Sequence, residues 1–129
     1  MDSLTVTFSL ENLQVKCSGK EINYLEHVQV EISLSFKRRG DLEVNLTSPL
    51  GTTSRLIQYR PSDNFTTLKN WRILTLHHWG ENPRGVWKLT LKNSQPQSKN
   101  TGILLFVYWH VLQHYFKNTR QFINFVNVL

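Results

Sequence analysis

The sequence predicts an all-β protein, an antiparallel β-sandwich of jelly-roll type with about eight strands. Three observations lead to this prediction. Apolar and polar residues alternate with a period of two along much of the chain, as they do in half-buried strands. Turns that contain Gly or Pro interrupt the alternation at short intervals. No segment shows the 3.6-residue period of an amphipathic helix convincingly.

The first clear strand spans residues 26–36. Polar residues there alternate with the apolar residues Val28, Val30, Ile32, Leu34 and Phe36. The turn sequence Lys37-Arg38-Arg39-Gly40 follows, and a second alternating segment then runs from residue 42 to residue 47. We therefore expect these two segments to form a β-hairpin, with Gly40 in its turn.

The later strands are also separated by turns. Ser48-Pro49-Leu50-Gly51 predicts a second turn, because Pro presets φ and Gly accepts a positive φ. Further strands are predicted near residues 53–58, 71–77, 86–92 and 103–111, with loops at 60–69, 80–85 and 94–102. Residues 4–8 and 12–15 are weaker strand candidates.

The charge of the chain is unevenly distributed. The 129 residues, a length typical of one domain, include 15 Lys and Arg and 9 Asp and Glu, so the formal charge is +6. Every acidic residue lies at or before Glu81, and the surplus comes from cations after it. Because these cations are spread along a strand, loops and the C-terminal end, they indicate a solvated surface. We predict no nucleic-acid partner.

The sequence contains no recognisable catalytic motif or metal-binding motif. Nothing resembles a nucleophile elbow or a Ser, His and Asp triad, so no catalytic residue is predicted. His110 and His114 would lie about 13 Å apart on a strand, too far to share a zinc ion. A single cysteine, Cys17, excludes an internal disulfide framework and a multi-thiolate site. We predict no metal and no cofactor in this chain.

The ends of the chain and its apolar runs give no targeting or membrane signal. Residues 1–20 lack the cationic start and unbroken apolar run of a signal peptide. The longest apolar run, at 103–109, is far below the roughly 20 residues that span a bilayer, so no transmembrane segment is expected.

Two short motif types have structural and functional interpretations. Asn45-Leu46-Thr47 and Asn64-Phe65-Thr66 fit the N-glycosylation sequon and are acceptors if the chain enters the secretory pathway. Arg39-Gly40-Asp41 is a tripeptide that some adhesion ligands use. We favour a structural role here, in which Gly40 serves the turn and Asp41 caps it.

Five segments carry a resemblance to a known family. They are Tyr24-Leu25-Glu26-His27-Val28-Gln29-Val30, Arg38-Arg39-Gly40-Asp41-Leu42, Leu46-Thr47-Ser48-Pro49-Leu50-Gly51-Thr52, Asn70-Trp71 and Trp79-Gly80-Glu81-Asn82-Pro83-Arg84-Gly85-Val86-Trp87-Lys88-Leu89. In order and spacing they resemble the P domain, or Homo B domain, of kexin- and furin-like proprotein convertases. The likeness covers roughly residues 4–112. We assign residues 1–112 to this domain, without its upstream start, and residues 113–129 to a divergent C-terminal tail.

The resemblance implies an eight-stranded jelly-roll sandwich, in agreement with the alternation pattern. In that family the P domain follows a calcium-dependent, subtilisin-like catalytic domain, which cleaves precursors after paired basic residues. The P domain itself is noncatalytic. The resemblance thus implies that this chain packs against such a catalytic domain and stabilises and regulates it. Calcium is expected in the catalytic domain, and the implied location is the secretory pathway, in the Golgi or trans-Golgi network or outside the cell.

The resemblance also implies roles for individual residues. Arg39, Gly40 and Asp41 match a structural hairpin motif of the family, and Trp71, Trp79 and Trp87 are expected to be core or interface anchors. Cys17 resembles a cysteine whose partner lies upstream, so we expect an orphan half-cystine or a free thiol in a fragment of a longer protein. The alternative hypothesis is a free-standing β-sandwich module that binds carbohydrate or an acidic partner.

Overall fold

The computed structural model describes residues 3–10, 16–17, 20–21, 24–95, 102–113 and 116–128. Its strands are β1 (Ser3–Leu10), β2 (Lys16–Cys17), β3 (Lys20–Glu21), β4 (His27–Phe36), β5 (Leu42–Thr47), β6 (Thr53–Ile57), β7 (Thr67–Thr75), β8 (Gly85–Asn93), β9 (Gly102–Gln113) and β10 (Phe116–Val128). A 3₁₀ turn at Arg39–Asp41 lies between β4 and β5. The all-β prediction is confirmed. The strand predicted at residues 12–15 lies outside the described residues.

The strands of this part of the chain form two larger antiparallel sheets. One has the order β1-β8-β5-β6 and the other the order β10-β9-β4-β7, while β2 and β3 form a small separate pair. In the first sheet, Val44 lies opposite Leu91 of β8 on one side and Ile57 of β6 on the other. In the second, Val30 lies between Trp109 and Ile73. Strand β10 pairs with β9, so most of the predicted tail extends the second sheet.

The expected hairpin between residues 26–36 and 42–47 is wrong. Strand β4 lies between β9 and β7, whereas β5 lies between β8 and β6 in the other sheet. The connecting turn hydrogen-bonds to a distant loop, because Arg39 N donates to Phe65 O and Gly40 N donates to Asp63 O. The chain therefore crosses from one sheet to the other at this turn. Alternation predicts which face of a strand is buried, but it does not predict which strands pair.

The core consists of the apolar faces of both sheets. Its fully buried side chains come mainly from β4, β5 and β8, and include Ile32, Leu34, Phe36, Leu42, Leu46, Trp87, Leu89 and Leu91. Each buried side chain of this size contributes about 1.5–3 kcal/mol through the hydrophobic effect. This shared core fixes the loops at the two ends of the strands relative to one another.

The two ends of the sandwich carry different loops. Strand β4 starts beside residues 24–26 and ends at the 3₁₀ turn, so its ten residues separate these segments by about 33 Å. The turn at 48–52 and the loop at 76–84 lie at the end where β4 begins. The loop at 58–66 lies at the other end, beside the 3₁₀ turn. In the described part of the chain, no helix is long and apolar enough to cross a membrane.

Candidate functional site

Three segments meet at the end where β4 begins. Leu25 N donates to Glu81 O at 2.9 Å, and Gly80 N donates to Leu25 O at 2.7 Å. These bonds attach residues 24–26 to the loop between β7 and β8. Gly85 lies against Pro49 of the turn between β5 and β6, and a Cβ atom added at Gly85 would lie 2.7 Å from the Pro49 Cβ. The three segments are thus held as one surface.

His78 joins the loop to the turn from beneath this surface. Its ring is 1% exposed, and its Nε2 atom lies 3.1 Å from the Thr52 carbonyl oxygen. Because a carbonyl oxygen only accepts, Nε2 carries the proton and donates it. The ring also makes an edge contact with Trp87, with centroids 5.2 Å apart. Trp87 in turn donates its Nε1 hydrogen to Pro83 O at 2.8 Å.

Burial lowers the pKa of His78 below its ordinary value of 6.5. The nearby His77 lowers this pKa as well, while the Thr52 carbonyl and the Glu81 carboxylate oppose the shift. The imidazole is therefore neutral at pH 7. The buried Nδ1 atom has no hydrogen-bond partner among the described residues. A second proton would consequently leave a charged, poorly solvated ring inside the domain.

Large apolar side chains project from this end into solvent. We call it the apolar end and define it by Tyr24, Leu50, Leu76, Trp79 and Val86, which are between 48% and 73% exposed. Trp79 is 58% exposed and touches the ring of His27 edge-on, with centroids 5.6 Å apart. A concentration of exposed apolar residues on rigidly held loops is typical of a surface that binds another protein or domain.

The three tryptophans singled out in the sequence lie in three environments. Trp87 is fully buried in the core, whereas Trp79 belongs to the apolar end. Trp71 is half-buried on β7, and the guanidinium carbons of Arg39 and Arg60 lie 5.0 Å and 5.1 Å from its ring centroid. Sequence alternation did not separate these environments, because Trp79 lies in a loop and Trp71 is packed by side chains from two other loops.

The opposite end contains a second cluster, which we call the arginine turn and define by Arg38, Arg39, Gly40 and Asp41. The Asp41 carboxylate is completely buried and accepts a hydrogen bond from Arg38 Nη1 at 2.5 Å. Arg38 also donates to the Pro61 carbonyl oxygen, and its Nε donates to Asn64 Oδ1 at 2.8 Å. Asp41 thus holds Arg38 across the turn.

Arg39 is held by the loop at 58–66. Its Nε lies 2.9 Å from the Asp63 carboxylate, and its guanidinium carbon lies 4.9 Å from the ring centroid of Phe65. Arg60 binds the same carboxylate at 3.0 Å. Partial desolvation acts to raise the pKa of Asp63, but the hydrogen bonds from Arg39 and from the Phe65 amide and the two arginine charges outweigh it, so the pKa is lowered.

Arg60 and Asp63 were not among the residues predicted from the sequence. Their only local signal is an opposite-charge pair three residues apart, and this spacing is common in surface loops. Their contacts with Arg39 join positions more than 20 residues apart. The residue pattern of the loop therefore did not indicate a partner for the turn.

Gly40 fits between two carbonyl groups of this loop. A Cβ atom at this position would lie 2.2 Å from Arg60 O and 2.3 Å from Asp63 O. Such contacts are far below van der Waals distance, so only glycine fits without movement of the backbone. This close approach, and not a positive φ, accounts for the glycine.

A serine and a histidine also meet, in the region of β6 and β7. His77 Nδ1 lies 2.7 Å from Ser54 Oγ, which is also 2.7 Å from Thr75 Oγ1. Ser54 is 1% exposed, so its hydroxyl is not presented to a substrate. In the described ranges, no group of three or more His, Cys, Asp and Glu residues is arranged to hold a metal ion.

The remaining predicted positions are dispersed. Asn45 is half-buried on β5, whereas Asn64 is exposed in the loop beside the arginine turn. Cys17 pairs with Lys20 in the β2–β3 ladder. The sequons at both asparagines and the oxidation state of the cysteine stay predictions.

The model of the proprotein convertase P-domain family matches residues 25–110, which is more than half of the chain. This chain belongs to the proprotein convertase P-domain family. The resemblance inferred from its motifs is confirmed. The matched part of the P domain includes the arginine turn and every residue of the apolar end except Tyr24, and it begins after β3 and ends within β9.

Several curated proteins are similar to this P domain. Rat proprotein convertase subtilisin/kexin type 4 is 46% identical over 100 residues, a match that covers 74% of this chain and 15% of the relative. Neuroendocrine convertase 2 of Drosophila melanogaster is 43% identical over 105 residues, covering 76% of this chain and 15% of the relative. The P domain therefore spans only a small part of the length of these convertases.

Among solved structures, a serine protease of Aeromonas sobria matches with a TM-score of 0.49 and 20% identity. The match covers 97% of this chain and 24% of that protease.

Proposed function

We propose that this chain is the noncatalytic P domain of a subtilisin/kexin-like proprotein convertase and adopts the jelly-roll arrangement of such domains. Its partner is a calcium-dependent serine protease domain that cleaves precursors after paired basic residues. The chain stabilises and regulates that domain by packing against it in the secretory pathway. The observation that carries the proposal is the apolar end, where Trp79 and its neighbours are held rigidly but left exposed.

Burial of apolar surface between the two domains would stabilise both of them. Adjacent domains in one chain typically share an interface of about 600–1,500 Å². Apolar area removed from water contributes about 25 cal/mol per Å² before ordering costs. The hydrogen bonds that fix the apolar end in the isolated domain reduce those costs, because less of the surface has to be ordered on docking. Contact with this end would thus stabilise the partner.

A chimera tests the proposal. The P domain of rat proprotein convertase subtilisin/kexin type 4 is replaced by this chain, and the yield of active protease and its calcium requirement are measured. We expect the chimera to be active and Trp79→Ser to reduce its yield. Leu74→Ser is the matched control, because Leu74 is 53% exposed on β7 and belongs neither to the apolar end nor to the loop that holds the arginine turn. Equal yields for both variants would contradict docking through the apolar end.

A second candidate function is a binding module for an acidic partner or carbohydrate. Lys88 and Lys92 are exposed at alternate positions of β8 and therefore lie on the same face of the sheet. Glu43 lies opposite Lys92, which offsets part of that charge. Binding to an acidic polysaccharide that disappears at high salt and on Lys88→Ser, with no effect of Trp79→Ser, would favour this function.

A further inference from the structure

The only run of consecutive Lys and Arg residues in the sequence, Lys37-Arg38-Arg39, ends in the arginine turn. In an extended chain, these side chains would precede the Arg39–Gly40 peptide bond. Guanidinium groups form bidentate hydrogen bonds with carboxylates, so paired arginines suit a protease with acidic binding subsites. Packing against a catalytic domain through the apolar end makes no use of this run, because the run lies at the other end of β4.

In the folded domain, hydrogen bonds hold the backbone on both sides of the Arg39–Gly40 peptide bond. The Arg39 carbonyl oxygen accepts hydrogen bonds from the Leu42 amide and from Arg60 Nη2, the latter at 3.2 Å. The Gly40 amide donates to Asp63 O at 3.1 Å, and the Gly40 carbonyl accepts from the Arg60 amide at 2.7 Å. Proteases bind their substrates as extended segments, which requires these bonds to break.

Internal contacts also occupy the side chains of Arg38 and Arg39. Arg38 is bound to the buried Asp41, and Arg39 is bound to Asp63. The Arg39 guanidinium carbon also lies over the rings of Phe65 and Trp71, 4.9 Å and 5.0 Å from their centroids. Acidic subsites of a protease would have to compete with two internal carboxylates and two aromatic rings. Both features that a protease recognises, the extended backbone and the free guanidinium groups, are therefore masked by the fold.

We propose that the Arg39–Gly40 bond is a conditional cleavage site for serine proteases that cut after paired basic residues, closed in the folded domain and exposed when the arginine turn separates from the loop at 58–66. That the convertase associated with this domain is one such protease rests on the function proposed above. The reaction is hydrolysis: water adds across the amide, the Arg39 carbonyl carbon becomes a carboxylate, and Gly40 becomes a new amino terminus.

Opening of the turn depends on a local set of contacts. Contacts from Arg60, Asp63 and Phe65 hold the turn, and these residues come from one loop. Release of that loop would expose the turn without unfolding the whole core. Cleavage then tracks the fraction of molecules in which the turn is open. The cut would separate β1 to β4 from β5 to β10, and because each large sheet contains strands from both fragments, only noncovalent contacts would then hold the domain together.

Limited proteolysis of the full chain tests the proposal. A protease specific for paired basic residues is added to the wild type and to Asp63→Asn, and fragments are identified by mass and by an amino terminus at Gly40. We expect the wild type to resist cleavage and Asp63→Asn to be cut at least about tenfold faster. The control is Val28→Ala, which creates a cavity in β4 at the end far from the arginine turn. Urea is added so that the two variants have the same free energy of unfolding.

Each outcome decides the proposal. Equal cleavage rates in the two matched variants would show that the bond is exposed only by global unfolding. This result would contradict local opening of the arginine turn. If the folded wild-type chain is cut as fast as the urea-unfolded chain, the fold does not protect the Arg39–Gly40 bond, and the proposal is wrong. An unfolded chain that is never cut after Arg39 would overturn the site itself. If Asp63→Asn does not fold, cleavage of the wild type in urea below its unfolding midpoint supplies the same comparison. The protease is added separately, so failure here leaves the chimera result independent.

Discussion

Trp79 and His27 are in edge-to-face contact, with ring centroids 5.6 Å apart, although 58% of Trp79 remains exposed to solvent. His27 is the first residue of β4, so the contact attaches a loop aromatic to a central strand of the second sheet. The exposed ring is therefore oriented before any partner binds. Such preorganisation reduces the entropy lost on association.

Trp79 and Trp87 should differ sharply in their effect on stability. Trp87→Ala removes a fully buried ring from the core and should lower the free energy of unfolding by about 3–5 kcal/mol. Trp79→Ala removes a largely exposed ring and should cost less than about 1 kcal/mol. Urea unfolding of the two variants measures both values. A large loss in Trp79→Ala would assign that ring to the core and remove it from the interface.

Gly40 should not tolerate a methyl group. Gly40→Ala places Cβ against two backbone oxygens, and we expect a loss of about 2 kcal/mol or more in the free energy of unfolding. Gly51→Ala is the matched control. Nothing lies within 4 Å of its Cβ position, and its φ of +92° alone should cost about 1 kcal/mol. Thermal melting compares them, and similar losses would refute steric exclusion at Gly40.

Asp41 should be required as a carboxylate. Asp41→Asn keeps the shape of the side chain but removes the charge that binds Arg38, and it should lower the free energy of unfolding by about 1.5–3 kcal/mol. Glu43→Gln, at a partly exposed position two residues later, is expected to have little effect. If Asp41→Asn melts like the wild type, the ion pair does not hold the turn.

The domain should lose stability as the pH falls below 6.5. His78 has a lowered pKa in the folded state, so the unfolded chain binds a proton at a higher pH than the folded chain does. Stability is therefore highest above pH 6.5 and decreases as the pH falls towards the pKa of the folded state. The His78→Gln variant, which does not titrate, should show a flatter dependence of melting temperature on pH between 8 and 5. An unchanged slope would contradict the assignment to His78.

The fold could be predicted largely from the alternation of residues within each strand. Val28 to Phe36 alternate so regularly that β4 and its apolar face follow from the sequence alone, although Ser33 on the polar face is buried as well. The partner of β4 could not be predicted, because the pairing depends on the hydrogen bonds that Gly40 and Arg39 make with a loop more than 20 residues away. Pairing is a nonlocal property, and period-two alternation is local.

The candidate sites were predictable only in part. The three tryptophans were predicted as core or interface anchors, but the sequence could not tell that Trp87 is buried and Trp79 exposed. That difference depends on how the loop at 76–84 folds over His78. The partners of Arg39 could not be predicted either. The loop that contains Asp63 has no periodic residue pattern from which its contacts could be inferred.

The central claim is that the apolar end packs against a catalytic domain. Oxidative footprinting of Trp79 tests it most directly, in the isolated chain and in the chimera with a convertase catalytic domain. We predict that oxidation of Trp79 slows severalfold in the chimera, whereas oxidation of Phe65, which is exposed at the opposite end, is unchanged. Equal oxidation of Trp79 in the two proteins, or protection of Phe65 instead, would contradict the claim.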